Sequence, residues 1–430
     1  MLAPLRDFLH TEAAGGALLV VAATGAMAWA NSPWSGSYES LWHTIATIEV
    51  AGHELSLDLR HWINDALMAV FFLIVGLEIK REVTGGHLAR RRAAAMPVAA
   101  ALGGMVVPAL VYLAIAGGTE ARGWGVPMAT DIALAVGVVA LVGSAVPATL
   151  RAFLLGLAVV DDIGAIVVIA IFYSDGISFG WLAIAGAALA VIVVAKRLQL
   201  TRLAPYAIVA IAMWFALFKA GVHPTLAGVV CGLLTPAIPR EVPDFVDVEE
   251  LTDLSTVQHA HATMELARST VSTVEWLEHR LHPWTSYLIV PLFALANAGI
   301  EVSSASVRSA FESPIMWGVL TGLLVGKPIG VIVAVKFATR TGAADLPAGA
   351  GNRQLLGVGH AAGIGFTVAI FIAELAFDEA AQQADAKMAI LIASILSGLL
   401  AFGVLRQRAP SRGGPGAHTA QAPKDLEPRV

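Results

Sequence analysis

The chain has 430 residues, of which 57% are hydrophobic before its 41 glycines are counted and only 14% are charged, against about 25% in a typical soluble domain. Its 27 basic and 32 acidic residues cannot cover a soluble globule of this length, which excludes a disordered chain, a coiled coil and most soluble enzymes and leaves a multi-spanning membrane protein. A single cysteine, Cys231, excludes a disulfide framework and a cysteine-based zinc site, and the net charge of −5 provides no footprint for nucleic acid.

A helix needs about 20 mostly apolar residues to cross the hydrocarbon core. Twelve such segments follow in chain order, at roughly 12–31, 62–79, 93–116, 126–143, 152–174, 180–195, 204–219, 223–238, 284–300, 314–336, 355–376 and 387–405. The first has a rival reading. Arg6, the apolar run and Ala28-Trp29-Ala30 suit a cleaved leader, but Asp7 and Glu12 spoil its basic start and the run is long enough to span.

Residues 32–61 follow the first span. Ile45 to Val50, then Ala51-Gly52-His53, then the alternating Glu54-Leu55-Ser56-Leu57-Asp58-Leu59-Arg60 predict a small outer β-hairpin. It is either a pinned loop or an exposed edge that pairs with a second copy, making a homodimer.

Lys and Arg set the orientation. With both termini cytoplasmic, the inside stretches hold 21 basic residues and the outside stretches hold 5 (Arg60, Arg122, Lys219, Arg308 and Lys387), with Lys327 left within a span. The stretch 237–283 is a long cytoplasmic loop with nine acids and three arginines, so the negative charge of the whole chain resides there. Partial disorder or a surface helix is expected for it. The tail 406–430, rich in Pro, Gly, Ala and Arg, reads as disordered, and 1–405 as the transmembrane domain.

An ionisable group in the bilayer is functional by default. Asp131 sits in Ala129-Thr130-Asp131-Ile132, Asp161 and Asp162 stand together in the fifth span, and Lys327 follows Gly326. Glu374 and Asp65 lie near span ends and read as interfacial residues facing water; Glu78 is also terminal. Adjacent helix residues project about 100° apart, so Asp161 and Asp162 cannot face one point equally. One can line a cavity while the other meets Lys327. Two neighbouring carboxylates titrate as a coupled unit. The alternative is a structural ion-pair network, although two acids and one base leave a charge uncompensated. Carboxylates are hard ligands that suit hard cations. A carboxylate that holds either a proton or a cation is the minimal device for exchanging them.

The fourth span carries Gly125 and Pro127 before Thr130-Asp131, and the eleventh reads Gly357-Val358-Gly359-His360-Ala361-Ala362-Gly363-Ile364-Gly365. Both look interrupted, as in transporter repeats. If spans three to five and ten to twelve are repeats, four intervening spans invert one relative to the other. Asp131 then offsets positive helix N-termini and Lys327 negative C-termini. Close helix packing is the plainer reading of the glycines. His223 begins the eighth span as a structural group or a pH sensor. His279 and His282 stand beside Glu278 at the start of the ninth.

Several motifs in order resemble the bacterial NhaA sodium/proton antiporter family over roughly residues 5–405. They are Ala129-Thr130-Asp131-Ile132-Ala133, Asp161-Asp162 with Ile163-Gly164-Ala165, Gly221-Val222-His223 with Thr225-Leu226-Ala227-Gly228, Pro291-Leu292-Phe293-Ala294 with Ala296-Asn297-Ala298-Gly299, and Gly326-Lys327-Pro328. That family is itself a known case of inverted repeats, so the repeat reading is not independent of the resemblance. The resemblance implies an electrogenic, pH-regulated exchanger of Na+ or Li+ for more than one H+ in the bacterial inner membrane, with no cofactor and no enzymatic step. It implies Asp162 as the central cation-binding carboxylate, Asp161 as the partner of Lys327, and Thr130 and Asp131 at the helix crossing. It implies Glu78, Arg81, Glu278, His279 and His282 as a cytoplasmic pH-sensing cluster, His223 as a pH-linked position, and the hairpin as a dimer contact. The long acidic loop before Glu278, and Pro224 after His223, depart from the family pattern.

Three other readings stand beside this one. A solute symporter would need a further pocket, which no additional intramembrane charge or aromatic cluster provides. An intramembrane aspartyl protease using Asp131 lacks that class's signatures. A passive channel suits a buried acid pair with a lysine poorly.

Overall fold

The computed structural model describes residues 2–407 except 51–52, 119, 175, 199, 201–202, 238–270 and 348. Most of the acidic loop and of the tail lies outside the described residues. The first helix, α1 (Leu2–Ala30), is followed by a short α2 (Ser35–Trp42) and the hairpin of β1 (Ile45–Val50) and β2 (His53–Asp58). The helical rods that follow are α3 (Leu59–Thr84), α4 (Arg91–Ala116), a 3₁₀ segment (Ala121–Met128) leading to α5 (Ile132–Val142), α6 (Ala148–Phe172) and α7 (Phe179–Arg197). Then come α8 (Leu203–Lys219), α9 (Thr225–Leu234), α10 (273–297), α11 (Ser304–Glu312) and α12 (Pro314–Arg340), and finally α13 (Asn352–Ala362), α14 (Phe366–Ala376) and α15 (Ala380–Arg406).

Seven of these helical stretches are long and apolar enough to cross a membrane, and nine if two bent pairs each count as one. The pairs are the end of α1 with α2, bent by 115°, and α13 with α14, bent by 49°. The mostly helical fold and the small sheet agree with the sequence reading. The hairpin is antiparallel in the register Ile45↔Asp58 through Val50↔His53. The alternation of Leu55 and Leu57 with polar residues produces it, because successive strand side chains point to opposite faces.

Large apolar side chains stay exposed along α4 (Leu110), α7 (Val191), α8 (Ile208) and α15 (Leu399), as a bilayer-facing surface requires. Inside, helices approach closely through small residues. A Cβ on Gly330 of α12 would lie 2.0 Å from the Gly103 carbonyl oxygen of α4, and one on Gly228 of α9 would lie 2.0 Å from that of Ala69 on α3. The first contact matters most, because α12 carries Lys327.

The sequence gives no warning of α2. Its Tyr38 hydroxyl reaches the carbonyls of Leu295 (2.9 Å) and Ala296 (3.0 Å) and accepts from the Gly299 N–H (3.2 Å). Thus α2 is tied across the end of α10. Two expectations are corrected. Asp65 is buried at 9% exposure, and Glu374 forms an ion pair with a buried Lys387. Neither acid is a free interfacial group, because each is covered by neighbouring helices, and Lys387 lies inside α15 rather than in a loop.

Candidate functional site

The site forms where two chain breaks cross. Ala129 (φ −78°, ψ 150°) and Asp131 (φ −90°, ψ 104°) are extended between the 3₁₀ segment and α5. The Asp131 N–H donates to the Ile364 carbonyl at 2.6 Å, and the Thr130 hydroxyl oxygen stands 2.9 Å from the Ala362 carbonyl. The break between α13 and α14 therefore lies directly on that between the 3₁₀ segment and α5. The crossing is tight: a Cβ on Gly365 would stand 3.2 Å from the Ala129 carbonyl, and one on Gly363 2.7 Å from that of Leu323 on α12.

Four helix ends thus meet, with unsatisfied backbone groups and partial charges. The Asp131 carboxylate serves both N-termini. Its Oδ1 accepts from the Leu134 N–H at 3.0 Å, and its Oδ2 from the Thr367 N–H at 3.0 Å and the Thr367 hydroxyl at 2.7 Å. The Lys327 ammonium donates to the Met128 carbonyl, the C-terminal end of the 3₁₀ segment. Lys327 stands just after a π-helical turn (Gly322–Gly326), a distortion frequent at functional sites.

Asp161 and Asp162, on α6, diverge as their spacing demands. The Asp161 Oδ2 lies 2.5 Å from the Lys327 Nζ and accepts from the Thr130 hydroxyl at 2.5 Å; the Asp161 and Lys327 side chains are fully buried. Asp162 turns the other way. It is 5% exposed, its Oδ1 has no hydrogen-bond partner, and it lines a cavity with Thr130, Asp131 and Thr367. That cavity continues past Val75, Ile74 and Val159 to Glu78, Arg81, Glu82 and His282 at the end of the molecule away from the hairpin. It has about 80 Å³ of room for water-sized molecules, and one water needs about 10–15 Å³ by that measure. A chain of waters or a hydrated cation fits.

At the far mouth Arg81 pairs with Glu278, which is 6% exposed, and lies 3.8 Å from Glu82. Burial pushes the Glu278 carboxyl above the usual carboxylate range, and the Arg81 and His282 charges oppose that rise. The structure brings Glu78, Arg81 and His282 together on the cavity of Asp162, and Glu278 joins them through its ion pair with Arg81. The structure does not bring His279 to that lining, although it directly follows Glu278; its side chain is exposed. Nor does it bring His223, whose ring packs edge-on against Phe371 at 5.7 Å and whose Nδ1 has no hydrogen-bond partner.

Sequence reasoning passed over two participants. Thr367 binds Asp131 from 236 residues away, and the Met128 contribution is a backbone carbonyl that any residue would provide. Away from the cavity lining, Asn64 and the motif residue Asn297 exchange amide hydrogen bonds at 3.2 and 2.8 Å.

A model of the family described as Na+/H+ antiporter 1 matches residues 6–405. The Na(+)/H(+) antiporter NhaA of Oleidesulfovibrio alaskensis is 46% identical over 424 residues, covering 94% of each chain. The Na(+)/H(+) antiporter NhaA 2 of Sorangium cellulosum is 46% identical across 94% of this chain and 89% of its own, and NhaA 3 of Frankia alni 43% across 94% and 88%.

Proposed function

The chain belongs to the Na+/H+ antiporter 1 family, and from that premise we propose that Asp162 is where Na+ or Li+ competes with protons for one buried carboxylate. As a family member the protein is a secondary transporter of the bacterial inner membrane that exchanges sodium for protons, and not an enzyme. One observation carries the finer reading: Asp162 lines the cavity and Asp161 does not, its Oδ2 being held by Lys327 and Thr130.

A cation entering the cavity meets hard oxygens from Asp162, Asp131 and Thr130. Its arrival displaces the proton on Asp162, and protonation removes the charge that held it. Asp161 and Lys327 form a second titrating unit, so more than one proton moves per cation and the exchange carries net charge. Asp131 and Lys327 keep the four helix ends neutral while the crossing moves between an inward-open and an outward-open state. The basic bias places the hairpin outside and both termini inside. Twelve spans result if each bent pair is one span and α8, α9 and α10 each cross too. The fourth and eleventh are the interrupted middle members of inverted repeats. The cavity then opens to the cytoplasm, where Glu78, Arg81, Glu278 and His282 set the pH response. His223 and His279 act more remotely. Residues 32–61 join two copies.

The test uses inside-out membrane vesicles with an acid interior. Added Na+ dissipates the gradient in the wild type, and Asp162→Asn abolishes this. Dissipation that survives the substitution removes Asp162 from the site.

A further inference from the structure

One intramembrane ion pair has no part in the exchange described above. Glu374, on α14, meets Lys387, on α15; 12% of the Glu374 side chain and 7% of the Lys387 side chain are exposed. A charge at this depth is costly to keep, and a purely structural pair could be replaced by apolar residues with little loss of stability. Its position on α14 gives it a use.

Residues 367, 371 and 374 share one face of α14, since a spacing of seven residues brings a helix back to within about 20°. Thr367 holds Asp131 at the crossing. Seven residues on, about 10 Å along the axis, Glu374 stands near the hairpin end of the same face. Between them is Phe371, fully buried, with its ring centroid 5.4 Å from Phe72, 6.3 Å from Phe293 and 5.7 Å from His223. This aromatic plug separates the crossing from Glu374. The cavity at Asp162 runs the other way.

We propose that Glu374 is the outer docking carboxylate for the transported cation. A cation leaving the crossing outward follows the Thr367–Phe371–Glu374 face once the plug opens, and Glu374 receives it. In the closed state Lys387 holds that carboxylate as an internal counter-cation. The cation exchanges places with an ammonium, so the local charge balance is kept. A monovalent alkali cation is the ligand class, because the donor is a single carboxylate already matched to one positive charge. The inference rests on the orientation and exchange proposed above.

The experiment measures half-saturation for Na+ separately at each face, in right-side-out and inside-out vesicles, for the wild type, Glu374→Gln and Glu374→Asp. Glu374→Gln is expected to raise the outer-face value about tenfold, the loss of roughly 1.4 kcal/mol of binding. It leaves the cytoplasmic-face value within about twofold, and Glu374→Asp restores part of the loss. If Glu374→Gln strands Lys387 and fails to fold, Glu374→Gln with Lys387→Gln leaves no lone charge and carries the same expectation. An unchanged outer-face value, or equal shifts at both faces, overturns the proposal. Asp162→Asn in the same vesicles tests the exchange reading separately: exchange intact there sinks that reading, whereas a symmetric Glu374 result alone sinks only this one.

Discussion

Asp131 holds two helix N-termini at once, and replacing it separates the capping role from the charge. Asp131→Ala deletes three hydrogen bonds and leaves the N–H groups of Leu134 and Thr367 without acceptors. A buried donor left unsatisfied costs about 1–3 kcal/mol, and a carboxylate at a partly buried helix N-terminus contributes up to about 2 kcal/mol. For the two donors and the lost charge together the sum is a destabilisation of roughly 2–8 kcal/mol. Asp131→Asn keeps one acceptor oxygen, so it satisfies one of the two helices and loses about 1–3 kcal/mol. Thr367→Val removes only the hydroxyl donor and falls at or below the Asn variant. Unfolding of the purified proteins in detergent micelles, followed by helical signal against denaturant, ranks them. The order expected is wild type, Thr367→Val, Asp131→Asn, Asp131→Ala. Equal losses for Ala and Asn would refute the double cap, and so would an Ala variant as stable as the wild type.

Other outcomes follow from the same geometry. Lys327→Met leaves Asp161 charged and buried, a loss of about 3–5 kcal/mol; Asp161→Asn with Lys327→Met recovers most of it in the same unfolding measurement, and no recovery argues against the pair. Gly330→Val places atoms where a Cβ alone meets the Gly103 carbonyl at 2.0 Å, so the variant should fail to elute as a monodisperse species in size-exclusion chromatography. The Glu278 carboxyl is raised by burial and held down by Arg81, so its neutral form persists to higher pH when Arg81 is removed. If ionised Glu278 accompanies activity, the transport–pH curve of Arg81→Gln moves to the alkaline side. A move to the acid side contradicts that coupling.

Much of the architecture was legible because it follows from periodicity and charge. Apolar runs mark the rods, the alternation through Leu55 and Leu57 marks the hairpin, and the adjacency of Asp161 and Asp162 alone dictates that they diverge. Which of the two meets Lys327 was not readable from spacing; it depends on how α6 is rotated against α12, and only the family resemblance chose Asp161. Thr367, Glu374 and Lys387 were missed or misplaced because their partners sit on other helices, and a position near the end of an apolar run does not tell burial from exposure. The π-helical turn before Lys327 has no sequence signature, since Gly322 to Gly326 suit an ordinary apolar helix equally well. The functional weight of the residues outside the described range, the acidic stretch above all, was read from charge alone.

The claim at the centre of the account is that sodium and protons exclude one another at Asp162. The direct measurement is proton release from purified protein in weakly buffered detergent when NaCl is added, with choline chloride as the control. Wild-type protein is expected to release protons saturably with Na+ and Asp162→Asn to release none. Release of equal size from the variant, or Na+ binding by the wild type with no proton released, would contradict it.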